Sequence, residues 1–84
     1  MDNYDVLILD VCYNYLQKGE YSIGLHELSD SMIIQTTMSL QVIQERIESL
    51  WEHNYLSSIN GKYCLTDKSL SFLKEVKGLT HLQK

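Results

Sequence analysis

The stretch LQVIQERIESLWEHNYLSSINGKYCLT, residues 40–66, decides the fold because its hydrophobic period changes halfway along. In the first half, apolar residues recur every three or four positions, which predicts an amphipathic helix from Leu40 to His53. Ser39 is a suitable N-cap for this helix. Trp51 belongs to the apolar stripe, so we expect it in the core. The full stripe comprises Leu40, Ile43, Ile47, Leu50 and Trp51.

The second half of the stretch predicts a β-hairpin, with strands over residues 55–59 and 62–66. The strands are joined by Asn60-Gly61, which supplies the two positive φ angles that a type I′ turn requires. Upstream, the segment over residues 21–23 predicts a brief extended piece that pairs with this hairpin.

Two helices are predicted before this stretch. The first covers residues 4–18 and ends at Gly19, a residue that tolerates the left-handed conformation common after helices. The second runs from Leu25 to Met32 and is so short that it must depend on tertiary packing. The β-branched and polar segment from Ile33 to Ser39 predicts the turn into the next helix.

A last helix is predicted after Thr66, which can cap it, and Gly78 ends or weakens it. We therefore expect one domain over residues 1–78, followed by a tail over 79–84 that either frays or joins a dimer contact. The fold class is α+β and mostly helical: three helices, a hairpin and a C-terminal helix. Apolar residues that share a face of the last helix predict a homodimer contact through Leu70, Leu73, Val76 and Leu79.

Two local patterns resemble a known family. One is Ile43-x-x-x-Ile47-x-x-Leu50-x-x-x-Asn54-Tyr55-Leu56, and the other is Gly61-Lys62-Tyr63-Cys64-Leu65-Thr66-Asp67-Lys68-Ser69. Together with the order of elements, they resemble the winged helix-turn-helix domain of MarR-like and PadR-like bacterial regulators. The resemblance implies a recognition helix that runs straight into the first strand of the wing. It also implies that the protein binds duplex DNA and regulates transcription.

The chain departs from that family at three places. Asn54 and Ser69 stand where the family usually has Gly, although Asn also tolerates the left-handed conformation after a helix. The connection from Met32 to Ser39 is longer than the three- or four-residue turn of a helix-turn-helix. This length puts the angle between the second and third helices in doubt.

The net charge of −4 opposes a simple nucleic-acid interpretation, because DNA-binding domains are usually basic. Cys12 and Cys64 lie among apolar residues and are expected as buried free thiols in a reducing compartment. No segment is apolar enough to span a membrane, and the acidic N-terminus is unlike a secretion signal. The sequence therefore favours a cytoplasmic protein.

If the third helix enters the major groove, its N-terminal half and the wing carry the contacts. Gln can bond adenine, Ser and Thr can meet bases or phosphates, and a wing lysine can meet a phosphate. The candidate DNA-binding residues are Thr36, Thr37, Ser39, Gln41, Gln44 and Lys62.

A rival hypothesis is a protein-interaction module, in which an acidic face binds a basic, nucleic-acid-handling protein and inhibits or recruits it. That face comprises Glu45, Glu48 and Glu52. No nucleophile motif, phosphate-binding loop or spacing of metal ligands is present, so we expect no enzyme activity, no metal and no cofactor.

Overall fold

The computed structural model describes residues 3–77 and is an α+β structure, mostly helical, with a small antiparallel sheet. Its elements follow the predicted order. They are α1 (Asn3–Gln17), β1 (Ile23–Gly24), α2 (Leu25–Gln35), α3 (Leu40–Glu52), β2 (Leu56–Ile59), β3 (Lys62–Leu65) and α4 (Asp67–Lys77). No helix in this part of the chain is long and apolar enough to cross a membrane.

The hairpin of β2 and β3 turns at the predicted dipeptide. Asn60 has a φ of 52° and Gly61 a φ of 77°, the two positive values that the sequence predicts. The predicted pairing of the segment before α2 with the hairpin is also confirmed. Ile23 in β1 pairs with Tyr63 in β3, which makes a sheet of order β1-β3-β2. This pairing ties the start of α2 to the hairpin.

Left-handed residues end two of the helices. Gly19, with a φ of 90°, follows α1, and Asn54, with a φ of 65°, follows α3. After α3, the N–H of Tyr55 donates to the carbonyl of Leu50 at 2.8 Å, and the N–H of Asn54 donates to Trp51 at 3.1 Å. This pattern satisfies carbonyls that the helix end leaves free. Asn54 therefore takes the left-handed conformation that ends α3.

The second helix is longer than predicted, and the turn after it is shorter. α2 continues to Gln35, so only residues 36–39 connect it to α3. The β-branched pair at 33 and 34 does not stop the helix, because such residues lower helix propensity only slightly. Thr36 ends it instead, with its hydroxyl donating to the carbonyl of Met32 at 2.7 Å. The prediction that this connection is longer than the turn of a helix-turn-helix is therefore wrong.

The core forms where α1, α2, α3, the sheet and α4 meet, and its fully buried side chains come from all of them. They are Ile8, Leu9, Ile23, Leu28, Met32, Ile43, Ile47, Leu56 and Leu73. The apolar stripe of α3 is confirmed at Ile43, Ile47 and Leu50. The placement of Trp51 in the core is wrong, because 47% of that residue is exposed. Its position on the stripe places it at the edge of the packed face, beside β2.

Candidate nucleic-acid interface

Two of the predicted contact residues use their side chains within the turn between α2 and α3. The Ser39 hydroxyl accepts a hydrogen bond from the N–H of Val42 at 3.3 Å, which makes Ser39 the N-cap of α3 as predicted. The Thr36 hydroxyl donates to Met32 and accepts from the N–H of Met38 at 3.3 Å. Both hydroxyls therefore already shape the turn and the start of α3.

The remaining predicted contact residues lie on the surface. Thr37, Gln41 and Gln44 are exposed at the N-terminal end of α3, and Lys62 is exposed in the hairpin next to Gly61. The side-chain amide of Gln41 donates to a carboxylate oxygen of Glu45 at 3.5 Å, a long and weak bond. Of the two glutamines predicted to contact DNA, Gln44 is therefore the one whose amide is not directed to a carboxylate in the described residues.

The positive charges near this surface are few and mostly held elsewhere. No Lys or Arg occurs between residues 19 and 45. Arg46 points to α1, where its guanidinium lies 3.4 Å from a carboxylate oxygen of Asp5 and 5.5 Å from the ring centre of Tyr4. Arg46 is therefore held in a contact between α3 and α1.

Lys68 is also held, because its ammonium donates to the carbonyl of His53 at 3.0 Å and lies 4.4 Å from the ring centre of Tyr55. This lysine caps the end of α3, where a positive charge is favourable. Lys62 remains exposed in the hairpin, where it pairs with Gly24 at the start of α2.

An apolar surface at the same end of the molecule was missed by the sequence analysis. Ile34 is 84% exposed, Leu40 48% and Ile33 44%. In the sequence analysis, Ile33 and Ile34 were assigned to a turn. Two adjacent apolar residues in a turn form no periodic pattern from which an exposed surface can be predicted. The sequence alone does not show that this pair is exposed. The exposure can be interpreted only once α2 is known to continue through both residues. We call Ile33, Ile34 and Leu40 the turn patch.

The carboxylates of α3 form its outer face. Glu45, Glu48 and Glu52 are all exposed, on the side opposite the buried residues of the helix. This acidic outer face is unfavourable for a phosphate backbone placed against it and favourable for basic groups.

The predicted dimer residues fall in different environments. Leu73 is fully buried within one chain, so its assignment to a dimer contact is wrong. Leu70 is half-buried, and Val76 is 53% exposed. Leu79 and the predicted tail over 79–84 lie outside the described residues. Of the four, Val76 offers the most accessible surface in the described part of the chain.

The two cysteines are free thiols in residues 3–77, Cys12 buried and Cys64 half-buried. Burial, with a further contribution from nearby Cys64, raises the pKa of the Cys12 thiol from 9.0 to about 12. Cys12 is therefore neutral and unreactive near neutral pH. Within the same residues, no group of three His, Cys, Asp or Glu side chains is placed to hold a metal ion.

Comparisons of the chain with protein families, curated proteins and solved structures give no significant match.

Proposed function

We propose that this chain is a winged-helix domain that binds duplex DNA and regulates transcription. The observation that supports this most is the connection between α2 and α3, which has only residues 36–39. A turn of this length is typical of a helix-turn-helix. The sheet order β1-β3-β2 is compatible with the same fold, because the strand before α2 pairs with the hairpin that follows α3.

In this proposal, α3 enters the major groove by its N-terminal end. Gln44 carries base readout through its exposed amide, with Thr37 and Gln41 beside it. The free backbone N–H groups at the start of α3 hold a phosphate, and Lys62 in the wing holds another. Ser39 and Thr36 contribute by fixing the start of α3 rather than by donating to DNA.

The protein acts as a homodimer in this proposal, since two copies present two recognition helices to half-sites about one helical turn apart. Within the described part of α4, Val76 and the half-buried Leu70 are the predicted contact residues with accessible surface. Val76→Glu is expected to shift the protein to a monomer in light scattering. Ile34→Glu, at an exposed isoleucine of the turn patch, is the matched control and is expected to leave the mass unchanged.

The test of DNA binding is selection of duplexes from a random pool at low salt, followed by titration of the enriched sequence. Gln44→Ala is expected to weaken binding about tenfold or more, because a good bidentate base contact contributes about that much. Gln17→Ala, at an exposed glutamine on α1, is the matched control and is expected to bind normally. Absence of any enriched sequence, or equal effects of the two substitutions, would contradict base readout by α3.

The turn patch favours a second function, the docking of another protein. Three exposed aliphatic side chains at the turn and three exposed carboxylates on the outer face of α3 fit a partner that presents apolar groups together with Lys or Arg. In this case the domain occupies a nucleic-acid-binding surface of its partner and inhibits or recruits it.

The two functions are distinguished by Ile34→Ser and Glu48→Lys. Docking predicts that both substitutions release a partner that the unchanged protein retains at low salt and loses at high salt. Readout by Gln44 predicts that Ile34→Ser leaves DNA binding unchanged, and that Glu48→Lys strengthens it by reducing repulsion. Both sites are exposed, so neither substitution is expected to unfold the domain.

A further inference from the structure

A cavity of about 510 Å³ opens between the end of α1, the segment before β1, the hairpin and the start of α4. Most of its wall is apolar or aromatic. Side chains that form it include Tyr15, Leu16, Ile59, Tyr63, Cys64 and Leu70. Ligand sites in proteins commonly enclose about 300–1,000 Å³, so the cavity is large enough for a small molecule.

The cavity opens to solvent, so its apolar wall is in contact with water unless a ligand covers it. A ligand that covers this wall removes apolar surface from water, which favours binding. Two other hollows, of about 420 Å³ and about 350 Å³, differ because polar side chains form much of their walls. Of these three hollows in the described part of the chain, the first therefore has the most apolar wall.

We propose that this cavity binds an uncharged, mainly apolar, ring-containing small molecule. Rings suit the wall because Tyr15 and Tyr63 contribute aromatic faces to it. The wall includes one carboxylate, Glu20, which is exposed, and the ammonium of Lys18 lies 5.6 Å from the ring centre of Tyr15. One negative and one positive group thus lie on or near wall residues, and together they favour neither sign of ligand charge.

A charged group inside the cavity would lose its hydration against an apolar wall, at a cost that an uncharged ligand avoids. The buried thiol of Cys12 does not change this, because it stays neutral near neutral pH. Polar atoms of the ligand can reach the hydroxyl of Tyr21, which is 79% exposed and belongs to the wall.

A bound molecule would contact both strands of the hairpin, through Ile59 on β2 and Tyr63 on β3. It would also contact α1 through Tyr15 and α4 through Leu70. Binding is therefore expected to fix the hairpin relative to the helices. The proposal stands on the cavity itself and holds whether the domain binds DNA or a protein.

The test uses the full chain and N-phenyl-1-naphthylamine, an uncharged aromatic dye whose fluorescence rises in apolar surroundings. We expect saturable binding that Cys64→Trp abolishes, because the larger side chain fills the space. Ile59→Ala is expected to weaken binding about three- to tenfold by removing part of the wall. Ile34→Ala is the matched control, since Ile34 is exposed and does not line the cavity, and it is expected to bind normally.

A second measurement locates the dye without any substitution. N-ethylmaleimide is expected to modify Cys64 faster than the buried Cys12, and the dye is expected to slow that reaction. This result and the effect of Ile59→Ala decide the proposal even if Cys64→Trp does not fold.

Three outcomes would overturn the proposal. They are no fluorescence rise with the full chain, a rise that the Ile59 and Ile34 substitutions change equally, and a rise without protection of Cys64. The absence of a fluorescence rise includes the case in which another part of the chain or a second copy already fills the cavity.

Discussion

Cys12 is the described residue whose protonation the fold changes most clearly. Its thiol lies in the core with 4% of the residue exposed, and burial is the main reason that its pKa rises from 9.0 to about 12. The unfolded chain then loses this proton at a lower pH than the folded chain does. Between these two values, the folded state binds more protons, so the free energy of unfolding must fall as the pH rises.

We expect this contribution to be fully present below about pH 9 and to be lost progressively up to about pH 12. The slope approaches about 1.4 kcal/mol per pH unit in the middle of that range. Urea unfolding of the unchanged protein and of Cys12→Ala, measured at several pH values, isolates the effect. Equal slopes for the two proteins would show that Cys12 is not the group responsible.

At the residue scale, the sequence predicted which candidate side chains lie near the turn but not what they bind. It identified Ser39 as a cap, and the hydrogen bond to Val42 confirms this. The hydroxyl of Thr36 is also used within the turn, which depends on where α2 ends and therefore on tertiary packing. The pairing of Arg46 with Asp5 joins residues 41 positions apart, so no local pattern reveals it.

At the element scale, Thr66 and Ser69 form a reciprocal cap at the start of α4. The Ser69 hydroxyl accepts from the N–H of Thr66 at 2.8 Å, and the Thr66 hydroxyl accepts from the N–H of Ser69 at 3.2 Å. The Thr66 hydroxyl also donates to the carbonyl of Asn54 at 2.7 Å, which links α4 to the end of α3. Ser69 is fully buried, so no water is placed to replace its bonds.

Ser69→Ala is therefore expected to lower the free energy of unfolding by about 1–2 kcal/mol, through the loss of a cap and of buried hydrogen bonds. Ser71→Ala, at an exposed serine on the same helix, is the matched control and is expected to change it by less than about 0.5 kcal/mol. Urea unfolding followed by far-ultraviolet circular dichroism measures both. A Ser69 effect no larger than that of Ser71 would contradict the cap.

The elements themselves were predictable where a local backbone requirement fixes them. Asn60-Gly61 and Gly19 take positive φ angles that few other residues adopt, so the hairpin turn and the end of α1 follow from the sequence. The end of α2 did not follow, because a β-branched pair fits a helix as well as a turn. The exposure of Trp51 was not predicted, because helical periodicity gives the direction of a side chain but not whether neighbouring elements extend far enough to cover it.

At the scale of the whole molecule, the charge distribution limits how DNA can be bound. Each phosphate that a protein cation neutralises contributes about −0.9 to the slope of log K against log salt concentration. Lys62 is the exposed cation that the proposed interface supplies, so one copy is expected to give a slope of about −0.9 and a dimer about −1.8. Most of the affinity must then come from base contacts and from pairing of the two copies.

Titration of the selected duplex at several salt concentrations measures this slope, and Lys62→Ala is expected to reduce it nearly to zero. Lys74→Ala, at an exposed lysine on α4, is the matched control and is expected to leave it unchanged. A slope steeper than about −4 would contradict the proposed interface, because it would need several cations that this surface does not provide. If no DNA binds even at low salt, the favoured function is instead protein docking by the turn patch and the carboxylates of α3.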